Sequence, residues 1–177
     1  MFRKILVCVD GSPRAMAAAR VGAAVARHYG AEIIALNVFH HQLAGPAAIS
    51  SWAIEIEQSE IDRCARQEKA SIEHMVCPIF SDLDTPVRIV QEIGHPVEAI
   101  LALAEREEVD LIVVGSRGLQ GIKELFLGSV SSALLHHAKC PVLIVRGDNF
   151  RARAGDFQEI VLASDGSVRA HRTNPPL

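Results

Sequence analysis

The chain has 177 residues, 49% hydrophobic and 22% charged, the proportions of a packed globular protein and not of a disordered one. Lys and Arg number 18 against 21 Asp and Glu, a net charge of −3, which excludes the basic footprint of a generic nucleic-acid binder and a polybasic membrane anchor. No apolar stretch approaches the roughly 18 residues that span a bilayer, and the opening run Ile5 to Val9 stops at Asp10-Gly11-Ser12-Pro13, short of the roughly 7–15 residues of a signal core.

Arg3 to Val9 is a continuous apolar run rich in β-branched residues, the pattern of a strand buried on both faces. Ser12-Pro13 then sets an N-cap beside a proline at the first helical position. The alanine-rich stretch Arg14 to Tyr29 follows as a helix, and Gly30 closes it. Ala31 to Val38 reads as a second buried strand, and His40 to Ser50, with Gly45-Pro46, as a loop. Ser51 to about Met75 reads as a helix with Ile54, Ile61, Cys64, Ala65, Glu68 and Ile72 along one face. Thr85 to Ile93 is a third strand, interrupted by charge and so placed near an edge. Pro96 to Glu107 is a helix, Asp110 to Gly115 the fourth strand, Gly128 to Ala138 the fourth helix and Cys140 to Arg146 the fifth strand. Strands alternating with helices imply crossover units and a parallel sheet. The four cysteines, Cys8, Cys64, Cys77 and Cys140, form no C-x-x-C pair, and this usage points to a reducing, cytoplasmic compartment.

These elements make one doubly wound α/β domain over residues 1–147, with a linker at 148–156. Beyond it lies an internal repeat. Phe157 to Ala170 echoes Phe2 to Ala15 at a constant offset of 155 residues, with Phe, Ile, Asp-Gly-Ser and Arg-Ala in register. Residues 157–177 thus read as a partial second copy, its first strand and turn only. A lone strand cannot bury itself, so Glu159 to Ala163 is expected to swap, stay disordered or pair elsewhere. The exposed side of the fifth strand is one such place.

The chemically informative stretch is Gly115-Ser116-Arg117-Gly118, followed after nine residues by Gly128-Ser129. It leaves a buried strand and enters a helix. Gly115 and Gly118 admit a close approach of the backbone to a phosphate or ribose and tolerate positive φ. Gly128 and Ser129 open a helix whose first amides lack partners and carry the positive end of its dipole, an anion site to which the Ser129 and Ser131 hydroxyls add donors. Neither a G-x-x-x-x-G-K-[ST] loop nor a G-x-G-x-x-G after the first strand is present, which excludes the two commoner nucleotide motifs. Asp10 has two readings, an Asx-turn before Ser12 or a ligand contact.

The motif G-x2-G-x9-G-[ST] after the fourth strand, with Val9-Asp10-Gly11-Ser12 closing the first, resembles the universal stress protein family. Ile5 to Ser12, Asp110 to Gly118, Leu127 to Ser131 and Cys140 to Val145 carry the resemblance over about residues 1–146. It implies an adenine nucleotide alpha hydrolase-like fold, a five-stranded parallel sheet of order 3-2-1-4-5 with helices on both faces. It also implies the ATP-binding branch of the family: ATP, or ADP or AMP, with Mg2+ carried on the phosphates. By the resemblance Val9 and Asp10 flank base and ribose, and Val38 contacts the adenine. Val114, Gly115, Arg117 and Gly118 line the ribose–phosphate side, and Gly128, Ser129, Val130 and Ser131 hold phosphates. A homodimer through the fifth strand is implied as well. The expected role is a nucleotide-responsive stress regulator; a slow ATP hydrolase or phosphotransferase is the alternative.

Overall fold

A computed structural model describes residues 2–40, 51–116, 127–146, 160–164 and 167–171. Strand β1 (Lys4–Cys8) leads into α1 (Pro13–Tyr29), whose N-cap is the Ser12 side chain accepting from the Ala15 amide at 3.1 Å. Pro13 occupies its first turn and Gly30 ends it at φ 66°, a left-handed conformation suited to glycine. Then come β2 (Glu32–Phe39), α2 (Ser51–Phe80), β3 (Val87–Ile93), α3 (Pro96–Arg106), β4 (Leu111–Gly115), α4 (Ser129–His137) and β5 (Val142–Val145). These five strands are parallel and ordered β3-β2-β1-β4-β5, as the resemblance implies.

Strand alternation sorts the core into two layers. Ile5, Val7, Val9, Ile33 and Ala35 face α1 and α2, meeting Ala18, Val21, Ile72 and Val76. Leu6, Cys8, Ile34, Leu36, Ile112 and Val114 face α3 and α4, meeting Ile100, Leu103 and Leu134. Alanine on α1 brings that helix very near the sheet. At Gly22 a Cβ would lie 2.7 Å from Val7 Cγ2, so the helix–strand approach itself excludes a larger side chain.

The amino ends of the strands are tied by charge. Arg88 donates to Glu32 Oε1 at 3.1 Å and to Glu107 Oε2 at 2.7 Å, and Lys4 Nζ lies 3.7 Å from Glu107 Oε2. Just before β4, the Asp110 carboxylate accepts from the amides of Arg3 and Lys4 at 2.8 and 2.9 Å. Burial alone would raise the Asp110 pKa, but these two hydrogen bonds and the Arg3 charge outweigh it and hold the carboxyl below its ordinary value.

Helix α2 runs past the expected end at Met75 to Phe80. Val76 and Phe80 continue the buried line of Ile61, Ala65 and Ile72, and Pro78 is accommodated in the last turn. Cys64, expected on that buried face, is exposed. The Ile54 side chain, also expected there, lies outside the described residues, as do positions 41–50 of the expected loop and the linker at 148–156.

The sheet extends beyond five strands. Strand β6 (Ile160–Ser164) pairs antiparallel with β5, with Val145 opposite Ile160 and Val142 opposite Ala163. Strand β7 (Ser167–His171) pairs antiparallel with β6, giving a mixed seven-stranded sheet ending β5-β6-β7. The second copy therefore departs from strand-plus-turn: Ser167 to Ala170, which echo the start of α1, form a strand. The echo carries β-branched Val168 where Pro13 stands in the first copy, and Asp165-Gly166 between two strands is a strong hairpin sequence. With β6 seated on β5, a homodimer through the fifth strand has no free edge there unless β6 leaves or is exchanged.

Candidate functional site

The strand order reverses between β1 and β4, which are paired from Ile5–Leu111 to Val7–Val113. Beyond this pair their connections depart to opposite faces, leaving a crevice at the carboxyl ends, where open α/β sheets take ligands. Val9 is buried on the floor of the β1 end. Asp10 is half-buried, and its Oδ1 accepts from the Ser12 amide at 2.9 Å, so the Asx-turn reading holds. Gly11 turns the chain at φ 78°. Beneath them the Cys8 thiol is pushed up to about 12 by burial, with the Asp10 charge adding to the effect, so it remains protonated and inert.

The end of β2 carries an unexpected feature. Residues of a parallel strand turn their peptide groups alternately to its two neighbours. The Glu32 amide bonds Arg3 and the Leu36 carbonyl accepts from Val9 at 2.8 Å, so even-numbered residues address β1. Ile33 and Phe39 bond the β3 side. Val38 therefore turns its N–H and C=O toward β1, whose Val9 carbonyl would be the next rung. That carbonyl instead accepts from the Asn37 side-chain Nδ2 at 3.2 Å. No backbone hydrogen bond joins Val38 to β1 among the described residues, leaving one donor and one acceptor of a single extended residue open at the crevice.

Asn37 is 1% exposed and fully engaged. Its Nδ2 also donates to Glu68 Oε1 on α2 at 2.9 Å, and its Oδ1 accepts from Gln91 Nε2 at 2.8 Å; Gln91 donates in turn to the Ala65 carbonyl at 2.9 Å. Sequence reasoning passes over Asn37. Its signal is a lone amide in the run Ile33 to Val38, which a strand buried on both faces tolerates only with partners.

On the β4 side, Val114 and Gly115 are buried. Gly115 does not use the positive φ that a glycine tolerates. A Cβ there would lie 2.9 Å from the Arg14 carbonyl carbon and 3.1 Å from the Ala15 nitrogen, so it is glycine because β4 meets the first turn of α1 backbone to backbone. The Ser116 carbonyl accepts from the Gly128 amide at 2.8 Å and from Ser131 Oγ at 3.1 Å, clamping together the two ends of the segment that holds Arg117 and Gly118. Those two residues lie outside the described ones.

Gly128 is the N-cap of α4, and no side chain caps it. The amides of Ser129, Val130 and Ser131 have no acceptor within the helix. The Ser131 hydroxyl, expected to bind phosphate, is committed elsewhere: the residue is 2% exposed and Oγ donates to the Ser116 and Gly128 carbonyls. Its contribution to an anion is limited to its amide. Ser129 is exposed, so its hydroxyl stands at the mouth. The structure thus gathers Val9, Asp10, Val38, Val114, Gly115 and Gly128 to Ser131 at one end of the sheet. Among the described residues no cluster of three or more His, Cys, Asp or Glu could hold a metal ion.

Residues 1–146 match the family described as "Universal stress protein family". A universal stress protein of Thermus aquaticus is 37% identical over 146 residues, covering 82% of this chain and 100% of that protein. The solved structure of hypothetical protein MJ0577 of Methanocaldococcus jannaschii superposes with a TM-score of 0.73 at 29% identity, over 85% of this chain and 99% of that one. A universal stress protein solved in complex with cAMP shares the fold at a TM-score of 0.58 and 23% identity, over 81% of this chain and 97% of that one. With the five parallel strands in the implied order and the family match spanning all of them, the chain belongs to the universal stress protein family.

Proposed function

We propose that the chain binds an adenine nucleotide, ATP or its relatives ADP and AMP, across the carboxyl ends of β1 and β4, and acts in the cytoplasm as a nucleotide-responsive stress regulator. The observation that carries this reading is the open peptide edge of Val38. One N–H and one C=O from a single extended residue complement the N1 acceptor and N6 donor of adenine. Guanine offers the reverse order, a donor at N1 and an acceptor at O6, and in the pose that adenine takes it meets like with like. The uncapped start of α4, beyond β1 and β4, supplies amides for the phosphates.

In this reading Val9 and Asp10 border base and ribose, and Val114 and Gly115 line the ribose side with Arg117 and Gly118. Gly128, Ser129, Val130 and Ser131 address phosphate through their backbone, and a divalent ion such as Mg2+ would arrive with the phosphates. Residues 1–147 form the binding domain, and 157–177 are the remnant of a second copy. The near-neutral charge of −3 fits a site made of peptide groups. A universal stress protein with the same fold holds cAMP, another adenine nucleotide. Calorimetric titration with ATP and GTP tests the reading. ATP binding, weak or absent GTP binding, and loss of ATP binding in a Gly118→Val plus Gly128→Val variant are expected. Failure of the unaltered protein to bind any adenine nucleotide overturns it.

A further inference from the structure

We infer that Asn37 is the specificity-determining residue of the base site: its carboxamide takes the Val9 carbonyl and so keeps the Val38 N–H open for a purine. The ladder geometry requires a device of this kind. Val9 N–H already bonds the Leu36 carbonyl at 2.8 Å, and the next parallel rung would run from Val38 N–H to the Val9 carbonyl. Closing it would satisfy both groups and remove the donor from the crevice. Asn37 Nδ2 occupies that carbonyl at 3.2 Å from the helix-facing side of the sheet. The Val9 acceptor is thus satisfied without drawing on Val38, and the ladder stops one rung early.

The carboxamide is held to this task by its neighbours. Glu68 Oε1 takes the second Nδ2 hydrogen, and Gln91 Nε2 fixes Oδ1, so the amide is oriented from α2 and from β3 at once. Gln91 is anchored to the Ala65 carbonyl in its turn. Buried at 1% exposure, Asn37 touches no ligand itself. It acts through Val38, as a positioning residue whose effect is on which base is admitted.

The inference rests on the adenine-nucleotide reading for the identity of the ligand, but its structural half is testable without any ligand. In the nucleotide-free full chain, amide hydrogen exchange read by NMR should show Val38 exchanging at least about tenfold faster than Leu36 and Asn37, whose peptide groups lie in the ladders. Asn37→Leu should slow Val38 exchange as its N–H closes onto Val9. It should also weaken ATP binding by about tenfold, the scale of one lost hydrogen bond, with GTP binding unchanged. Glu68→Ala breaks the other Nδ2 contact, but Gln91 still fixes the amide and the Val9 carbonyl stays engaged, so it should alter neither the exchange nor the ATP-to-GTP ratio. A protected Val38 amide in the free wild-type protein overturns the inference even if Asn37→Leu does not fold. Equal loss of selectivity in Glu68→Ala also overturns it, since Asn37 would then serve only to anchor α2. If neither ATP nor GTP binds but Val38 is open and closes in Asn37→Leu, the ladder mechanism stands and the proposed ligand is wrong.

Discussion

Replacing Gly115 by alanine adds one carbon where β4 meets the first turn of α1 backbone to backbone. The new Cβ would lie 2.9 Å from the Arg14 carbonyl carbon and 3.0 Å from its oxygen, the first about 0.6 Å short of an ordinary carbon–carbon contact. All the opposing atoms are backbone, so no rotamer change relieves the clash and the first turn of α1 must move from β4. Overpacking of this kind costs about 1–3 kcal/mol, and the stiffer unfolded chain returns about 0.4–1 kcal/mol. The net loss is therefore up to about 2.6 kcal/mol and centred on about 1.3 kcal/mol, which for a chain of this size lowers Tm by roughly 3–5 °C at the centre and up to about 10 °C. Urea unfolding at 25 °C measures it, with Gly30→Ala as control. Gly30 has φ 66°, and a Cβ there would meet nothing within 4 Å, so its replacement costs about 1 kcal/mol by strain alone. The two variants should lose similar stability and differ in function. Gly115→Ala displaces the turn that carries Asp10 and weakens nucleotide binding, whereas Gly30→Ala does not. A Gly115→Ala protein as stable as wild type would refute the close-approach argument.

Four further outcomes are expected. Ser131→Ala should lose about 1 kcal/mol in urea unfolding through its bonds to the Ser116 and Gly128 carbonyls; unchanged stability would show the clamp is redundant. Asp110 has a lowered pKa in the folded chain, so its contribution is present above the unfolded carboxyl value of about 4 and is lost as pH falls through the lower folded value. The stability gap between wild type and Asp110→Asn should accordingly be larger at neutral pH than in acid, and a gap independent of pH would contradict this. A thiol reagent at mildly alkaline pH should modify exposed Cys64 and Cys77 rapidly and spare Cys8 until the chain unfolds; mass spectrometry of the labelled peptides decides. Val161→Pro with Leu162→Pro in the full chain should break the β5–β6 ladder and leave the apolar β5 edge to recruit a second copy. An unchanged mass by sedimentation would show that the edge needs no cover.

Much of the fold is legible in the sequence because its signals are local. Ser12-Pro13 and Gly30 mark both ends of α1, and the both-face-buried strands announce themselves as apolar runs. Charge within β3 correctly places it at the sheet edge. What escapes is tertiary. Asn37 meets Glu68 and Gln91 at separations of 31 and 54 residues, so nothing near it in the chain announces the network. Gly115 reads as a glycine for the ligand's sake, whereas the atoms crowding it belong to Arg14 and Ala15, about a hundred positions away in sequence. Ser131 reads as a phosphate donor until the Ser116 carbonyl is seen beside it. The end of α2 lies beyond Met75 because the burial of Val76 and Phe80 carries the helix through Pro78, which alone would favour termination. Strand β7 is missed because the echo of the α1 start hides one substitution, valine for proline, that favours extension.

The cluster of Lys4, Glu32, Arg88, Glu107 and Asp110 binds the amino ends of the strands with side chains, whereas the opposite rim presents peptide groups. The sheet is thus divided in its labour. Substitutions on the charged rim change how firmly the strands hold together without touching the crevice, and turns on the other rim are free to drift while the staple stays shut. A change at the charged rim can therefore alter heat tolerance and leave the ligand alone, whereas one at the crevice, as at Gly115 or Ser131, alters both together.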